Sequence, residues 1–141
     1  MKDNNCIFCK IANGEIPSST IYEDDNFRVI LDISPASKGH ALILPKRHYN
    51  NISELPKALS EHIPSLAAEI GEAAKKGLKA SGYNILINTG ESAGQTVFHC
   101  HVHIIPRYDK DRGILTWSLS EQAKEDIEGT LAAVKGALSD V

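Results

Sequence analysis

The feature that constrains this chain most is a run of three histidines, His99, His101 and His103, at alternate positions. Successive side chains of a β-strand point to opposite faces, so this spacing predicts that the three imidazoles share one face. The residues around them are apolar and predict that the other face lies in the core: Phe98, Cys100, Val102 and Ile104. Each ring nitrogen of a buried imidazole needs a partner, so a purely structural role for the three histidines is the weaker interpretation.

Length and composition favour one soluble domain spanning residues 1–141. The chain has 141 residues, of which 42% are hydrophobic and 23% are charged, as in ordinary globular proteins. We expect a cytoplasmic protein without a membrane partner, because the sequence has no apolar run of membrane-span length and begins without a signal-peptide stretch. A net charge of -3 argues against a nucleic-acid partner, which requires clustered Lys and Arg.

Hydrophobic periodicity predicts an α+β fold. Short apolar runs predict strands at 20–23, 27–31, 40–44, 83–88 and 97–106. The first two form a hairpin, and the last two form an antiparallel pair. Apolar residues at helical spacing predict a long helix over 60–79, with Pro64 in its first turn and Gly82 as its terminator. A short helix is predicted over 9–13.

The C-terminal region predicts one further helix. Ser118 and Glu121 have the spacing of a capping box, which marks a helix N-terminus. The apolar positions that follow recur at helical spacing: Ile127, Leu131, Val134 and Leu138. We therefore expect an amphipathic helix, for which Trp117 is a hydrophobic anchor.

The loop before the histidines has the composition of an anion-binding turn. Gly94 allows a ligand to approach the backbone closely, Thr96 offers a hydroxyl, and neighbouring N–H groups can form a concavity for an anion. Alone, such a loop is usually only a turn. Its position directly before three histidines favours a phosphate-bearing ligand.

The histidines themselves suit attack on phosphorus. A neutral imidazole is a competent nucleophile, and a covalent intermediate divides one difficult displacement into two easier ones. We predict that His101, the middle histidine, attacks, while His99 and His103 orient it or hold anionic oxygens and the leaving group. His40, which follows a glycine at the start of another strand, is placed to fix the tautomer from behind.

A second constellation, Cys6-x-x-Cys9, suggests a structural zinc site. Zinc takes four Cys or His ligands in a tetrahedron, and His48 and His99 are the candidate third and fourth ligands. One such motif is weak evidence, and a redox-active pair or unlinked structural thiols are alternatives.

A catalytic metal site made by the three histidines is a rival interpretation. Side chains two residues apart on a flat strand are separated by about 7 Å, so all three cannot easily reach one ion. Two of them could do so with a further ligand from elsewhere.

These residues resemble the signature of the histidine-triad (HIT) superfamily, His-x-His-x-His followed by two apolar residues. The similarity extends in order along the chain to its nucleotide-binding branch, through residues 6–11, 16–17, 22–24, 31–35, 39–40, 44–48 and 88–106. The resemblance implies a central antiparallel sheet, a homodimer formed through the long helix and a sheet edge, and a purine nucleotide pocket. Members with two N-terminal cysteines are similar to this chain in binding zinc through Cys6, Cys9, His48 and His99, without an organic cofactor.

The resemblance also implies roles for individual residues. His101 would be the nucleophile on the α-phosphorus, supported by His40, with His99 and His103 completing the triad. Asp32 would bind the ribose hydroxyls. The base would be enclosed by Phe8, Ile11 and Ile33, and the phosphate and leaving group by Asn88, Gly94, Gln95 and Thr96.

The chain departs from the typical nucleoside phosphoramidase of this family after Arg107. An extension over 108–141 follows the core over about 6–107, and Trp117 is a candidate to pack near the pocket. We expect hydrolysis of purine nucleoside phosphoramidates or other AMP conjugates through a nucleotidyl-histidine. A dinucleoside polyphosphate hydrolase and a nucleotide-binding scaffold with vestigial activity are the alternatives.

Overall fold

A computed structural model describes residues 1–111, 118 and 120–138, so Trp117 lies outside the described residues. The strands are β1 (Thr20–Glu23), β2 (Phe27–Leu31), β3 (Ala41–Pro45), β4 (Gly82–Leu86) and β5 (Val102–Arg107). The helices are α1 (Ile7–Ala12), α2 (Lys57–Leu78), α3 (Glu121–Glu125) and α4 (Ile127–Leu138), and short 3₁₀ turns occur at Ile52–Glu54 and Glu91–Ala93.

The strands form one antiparallel sheet in the order β1-β2-β3-β5-β4. This arrangement confirms the predicted hairpin, the predicted antiparallel pair of β4 and β5, and the α+β class. β3 lies in the centre, and all of its five residues are buried. His103 of β5 lies opposite Leu42 of β3 on one side and Leu86 of β4 on the other.

The alternation of side chains gives the sheet two different faces. Helix α2 packs on one face over the main core, which includes Phe27, Val29, Ile43, Val102 and Ile104. Helix α1 packs near β3 on the other face, over a smaller cluster: Ala12, Ile30, Leu42 and Leu44, with Phe8 and Ile11. The period of two residues therefore separates a closed core from a face that is open to ligands.

The strand that contains the histidines is shorter than predicted. β5 begins at Val102, so His99 and His101 precede the ladder, and only His103 belongs to it. Cys100, Val102 and Ile104 are buried as expected. Phe98 is 47% exposed, so the prediction that it faces the core is wrong. Phe98 lies before the first residue of β5, where side chains need not alternate between the two faces of the sheet.

Helix α2 differs from the prediction at both ends. It begins at Lys57, so Pro64 lies inside the helix rather than in its first turn. A proline there removes one backbone hydrogen bond, and the burial of Ile63 and Leu66 against the sheet offsets that loss. The helix ends because Lys79 adopts a left-handed conformation, with φ of 64°. Gly82, the predicted terminator, is the first residue of β4.

The C-terminal region forms two helices rather than one. Ser120, and not Ser118, is the N-cap, because its side chain accepts a hydrogen bond from the backbone N–H of Ala123. The apolar stripe of α4 is exposed along its whole length: Ile127, Leu131, Val134 and Leu138. Within the described residues, no helix is both long and apolar enough to cross a bilayer.

Candidate active site and metal centre

Four side chains that could hold a metal ion converge between α1 and the strand ends, and they are called the metal cluster below: Cys6, Cys9, His48 and His99. The Nδ1 atom of His99 lies 3.4 Å from both sulfurs, and Nδ1 of His48 lies 3.4 Å from Sγ of Cys9. Tetrahedral zinc, with bonds of about 2.3 Å to sulfur and 2.0 Å to nitrogen, separates its ligand atoms by roughly 3.5 Å. The side chains therefore have the donor types and the spacing that zinc requires.

The groups behind these ligands also suit a cation. The other ring nitrogen of His99, Nε2, donates to the carbonyl of Pro45 at 2.9 Å, which leaves the Nδ1 lone pair facing the sulfurs. The backbone N–H groups of Asp3 and Cys9 donate to the sulfurs of Cys9 and Cys6 respectively. Such outer hydrogen bonds orient metal ligands and stabilise thiolates.

His101 has a defined tautomer. Its Nδ1 lies 2.7 Å from the backbone carbonyl of His99, and a carbonyl can only accept, so Nδ1 carries the proton. The Nε2 atom of the neutral ring therefore has a free lone pair. The ring is 9% exposed and packs edge-on against Phe8 at 5.0 Å. These contacts hold an unprotonated ring nitrogen in one orientation.

A chain of hydrogen bonds also fixes the protons of His40 and His103. The backbone N–H of Ala36 donates to Nδ1 of His40 at 2.9 Å, so neutral His40 carries its proton on Nε2. That Nε2 lies 3.0 Å from Nδ1 of His103, which must accept. Neutral His103 therefore carries its proton on Nε2. His40 therefore bonds to His103 and not to His101. The prediction that His40 fixes the tautomer of His101 is wrong, because the carbonyl of His99 holds the Nδ1 proton of that ring.

Burial keeps the histidines beside His101 uncharged at neutral pH. Burial is the main cause that lowers the pKa of His99 and of His103 from 6.5 to about 4. It also lowers the pKa of His40, although the nearby carboxylate of Asp32 acts in the opposite direction. The tautomers assigned to His40, His99 and His103 therefore persist near pH 7.

A cavity of about 480 Å³ opens beside His101 and His103. This volume lies within the usual range for small-molecule sites, about 300–1,000 Å³. Its walls bring together the predicted base-binding residues Phe8, Ile11 and Ile33. Ile33 is 98% exposed, so its apolar surface is available to a ligand.

Asp32 lies between this cavity and the histidines. One carboxylate oxygen accepts from the backbone N–H of Ser34 at 2.8 Å, and the other lies 3.6 Å from Nε2 of His40. Asp32, His40, His101 and His103 are called the catalytic cluster below. The carboxylate can accept hydrogen bonds from a ligand while it remains next to His40.

The loop at residues 88–96 closes on itself near the same cavity. Gly90 and Gly94 have positive φ angles of 89° and 92°, which favour glycine. The side chain of Asn88 donates to the carbonyl of Gly94 at 3.5 Å. Thr96 lines the cavity, whereas Gln95 is 3% exposed and its amide bonds to the protein.

Sequence reasoning missed several contributors to these two clusters. The backbone N–H of Ala36 and the carbonyls of Pro45 and His99 fix the protons of three histidines, and no side-chain pattern announces them. Further cavity-lining residues come from α1 and from the segment that leads into β1: Ile7, Ile16, Pro17, Ser18 and Ser19. In the sequence, the apolar residue Ile7 next to Phe8 was an available signal for a cavity wall.

Cys100 lies between two triad histidines but differs from the other cysteines. It is 2% exposed, and burial raises its pKa to about 11. A protonated buried thiol is a poor nucleophile and a poor metal ligand. Cys100 therefore belongs to the core.

Comparisons with known proteins identify close relatives. A family model described as HIT domain matches residues 13–110. A crystal structure of a HIT family protein from Bacillus anthracis has a TM-score of 0.85 and 40% identity, and the match covers 98% of both chains. A Zn-bound histidine triad family protein from Mycobacterium smegmatis has a TM-score of 0.73 and 38% identity, over 94% of this chain and 96% of that one. The adenylylsulfatase HINT3 of Arabidopsis thaliana is 44% identical over 108 residues, which make up 77% of this chain and 55% of the relative.

Proposed function

Because this chain belongs to the HIT domain family, we propose that it is a nucleotide hydrolase acting on purine nucleoside phosphoramidates and other AMP conjugates. One observation carries the proposal. His101 presents an unprotonated Nε2 beside a cavity of nucleotide size, with its Nδ1 proton held by the carbonyl of His99. This is the state that an imidazole needs for attack on phosphorus.

In the proposed first step, Nε2 of His101 attacks the α-phosphorus. A nitrogen–phosphorus bond forms while the bond from phosphorus to the leaving group breaks, and the leaving group takes the electron pair. The ring of His101 becomes a cation, which the carbonyl of His99 stabilises through the Nδ1 proton. Water then attacks the same phosphorus, AMP is released and the neutral imidazole is restored.

His103 supplies a hydrogen-bond donor for this reaction. Its Nε2 proton, fixed by the chain through His40 and Ala36, can donate a hydrogen bond to a phosphoryl oxygen or to the leaving atom, which takes its proton from solvent. The hydroxyl of Thr96 is proposed to donate to the phosphate oxygens, which Gly94 allows to approach closely because it has no side chain, with Asn88 beside the leaving group.

The rest of the nucleotide is assigned to the cavity. Apolar walls at Phe8, Ile11 and Ile33 suit the two faces of a purine. The carboxylate of Asp32 would accept hydrogen bonds from the ribose hydroxyls. Support for an adenylyl group comes from the A. thaliana relative, an adenylylsulfatase.

We assign the metal cluster a structural role with zinc. The donor set of Cys6, Cys9, His48 and His99 fits that ion, and the M. smegmatis relative is Zn-bound. Bound zinc would tie α1 to the triad segment, since Cys6 is the N-cap of α1 and Cys9 lies within it. His101 is not part of the metal cluster and lines the cavity, so catalysis is assigned to its Nε2 atom.

We also propose that the protein is a homodimer in the cytoplasm, with no membrane or nucleic-acid partner. β4 is an edge strand of the sheet, and an uncovered edge is a natural site for pairing with a second copy. Light scattering of the purified protein would test this, and a monomeric mass would contradict it.

Covalent trapping tests the proposed reaction. The protein is mixed with adenosine 5′-phosphoramidate and quenched within milliseconds in alkaline denaturant, which preserves phosphohistidine. We expect an intact-mass increase of one adenylyl group, localised to His101 by peptide fragmentation. Turnover without any adduct, or an adduct elsewhere, would contradict the mechanism.

Relative rates identify the leaving group. Adenosine phosphoramidate, adenylyl sulfate and diadenosine tetraphosphate are compared by kcat/KM under the same conditions. We expect the two small leaving groups to react faster. A preference for diadenosine tetraphosphate would replace the proposal with a dinucleoside polyphosphate hydrolase, and AMP binding without turnover of any substrate would indicate a binding protein.

A further inference from the structure

Gln95 is the one buried glutamine among the described residues, and its side chain is directed into the protein. The amide donates through Nε2 to the carbonyl of Asn50 at 2.6 Å and to that of Val97 at 3.1 Å. Its Oε1 accepts from the backbone N–H of Gly90 at 2.9 Å. Both Nε2 hydrogens are therefore used within the protein, so this amide has no donor left for a phosphate.

These bonds close the 88–96 loop. The backbone N–H of Gln95 donates to the carbonyl of Gly90 at 3.1 Å, while Gly90 donates back to the side chain of Gln95. The two residues thus form a reciprocal pair across the loop. Gly94, which is assigned a place beside the phosphate, lies inside the closed segment. Its position is therefore set by Gln95.

The other end of the amide reaches a short segment that contacts three functional parts of the molecule. In residues 48–50, the ring of His48 contacts Cys9 of the metal cluster. The carbonyl of Tyr49 accepts from the backbone N–H of Cys100 at 2.6 Å, between two triad histidines. The carbonyl of Asn50 accepts from Gln95. Three consecutive residues thus join the metal cluster, the triad and the 88–96 loop.

We propose that Gln95 is a positioning residue that holds the 88–96 loop against the triad, and that residues 48–50 make this hold depend on the metal cluster. The inference rests on the proposed function, because it assumes that the loop receives the phosphate of a nucleotide. Gln95 acts on the ligand only through the loop backbone, and His48 acts only through the segment that it anchors.

This connection has a thermodynamic consequence. If metal binding orders residues 48–50 and thereby the loop, the metal must strengthen binding of the phosphate group, and the phosphate must strengthen metal binding equally. The purine walls, from α1 and the segment after β2, make no contact with Gln95, although the metal ligand Cys9 also lies on α1. Adenosine and AMP should therefore respond differently to replacement of Gln95.

The first experiment replaces Gln95 and measures binding of AMP and adenosine by calorimetry with the zinc-loaded protein. Gln95→Glu places an acceptor against the carbonyls of Asn50 and Val97, and Gln95→Met keeps the volume but removes the hydrogen bonds. For either variant we expect AMP affinity to fall by about tenfold or more and adenosine affinity to change less than about twofold. Gln122→Glu on exposed α3 is the matched control and should change neither value.

Folding is checked so that the result remains informative. Circular dichroism and thermal melting identify variants that are unfolded, and Gln95→Met serves if Gln95→Glu fails. Equal loss of AMP and adenosine affinity in a folded variant, or no loss of either, would overturn the positioning role. Wild-type protein that binds neither ligand would instead contradict the proposed function.

The second experiment removes the metal from the wild-type protein with a chelator and uses hydrogen exchange as its readout. We expect faster exchange of backbone amides in the 88–96 loop and a loss of AMP affinity. Combined with Gln95→Met, metal removal should produce less than the sum of the two separate losses. Unchanged exchange in the loop, or fully additive losses, would show that residues 48–50 do not connect the two parts.

Discussion

The metal cluster and the catalytic cluster both contain a buried histidine of the triad, and the two imidazoles differ in what they present to a ligand. His99 and His103 are members of one triad, and burial lowers the pKa of both to about 4. His99 donates to a backbone carbonyl and turns its free lone pair toward two sulfurs. Nδ1 of His103 accepts a hydrogen bond from His40, so the proton of the neutral ring is on Nε2, on the opposite side.

The difference shows that the hydrogen-bond partner of a buried imidazole determines which ring nitrogen carries the proton and which one has a free lone pair. A carbonyl behind the ring can only accept, so it creates a lone pair on the far side, as at His99 and His101. A donor behind the ring creates a proton on the far side, as at His103. In the proposed function the triad thus combines a metal ligand, a nucleophile and a hydrogen-bond donor, and substitutions should separate these roles.

The largest effect should follow removal of the nucleophile. His101→Ala is expected to lower kcat by about 10⁴-fold, about 5.5 kcal/mol in activation free energy, because no other ring presents a free nitrogen to the phosphorus. AMP affinity and zinc content should change little, since neither depends on this ring nitrogen. Steady-state kinetics, calorimetry and metal analysis measure the three quantities.

His62→Ala provides the matched control for that variant. His62 lies on α2, is half exposed and belongs to neither cluster. Its replacement should leave turnover within about twofold of wild type. Retained turnover in His101→Ala would mean that the division between the clusters has been assigned incorrectly.

A smaller effect, on stability rather than chemistry, should follow loss of a metal ligand. His48→Ala is expected to lower zinc content and to reduce the free energy of unfolding by roughly 3–5 kcal/mol, because a structural metal contributes folding free energy. Denaturant unfolding and metal analysis of the same preparation test the link. Wild-type zinc stoichiometry in the variant would remove His48 from the ligand set.

The smallest of the three effects is the pH dependence of the free energy of unfolding. In metal-free protein, His99 and His103 should contribute to it in the same direction. The unfolded chain binds protons at histidine below about pH 6.5, whereas folded His99 and His103 bind them only near pH 4. Stability from these groups is therefore present above pH 6.5 and is lost as the pH falls toward 4. For fully buried His99 the loss is up to about 3 kcal/mol.

Denaturant unfolding of metal-free and zinc-loaded protein between pH 6.5 and 4 distinguishes the contribution of His99 from that of His103. Zinc competes with protons for His99, so the loaded protein should keep its stability to a lower pH. A flat stability profile of the metal-free protein between pH 6.5 and 4 would contradict the cause assigned to both shifts.

The sequence predicted the fold where a pattern depends only on local alternation. The bounds of β1 and β2 agree with the prediction to the residue. Errors occurred where a single residue overrode the pattern: Lys79 ends α2 without a glycine, and Pro64 lies within the helix. The segment before β5 was predicted as strand, yet the loop bonds of Gln95 and Tyr49 keep it out of the ladder.

Side chains of the candidate site were easier to identify than their protons. Cys6, Cys9, His48 and His99 were selected as zinc ligands from their chemistry and from a family resemblance, and they converge in space. No pattern indicates that the amide of Ala36 faces His40 or that the amide of Gln95 faces Asn50. Those contacts depend on the path of the main chain, which only the folded protein defines.

The proton of the nucleophile is held by an oxygen of the peptide backbone, at residue 99. A main-chain atom is the same whatever side chain the residue carries, so point mutation cannot delete it. Evolution could therefore exchange the imidazole at position 99, along with its cysteine partners, and still keep the neighbouring ring correctly protonated. In this architecture, a lineage could gain or lose the metal ligands while the proposed nucleophile, Nε2 of His101, stays the same.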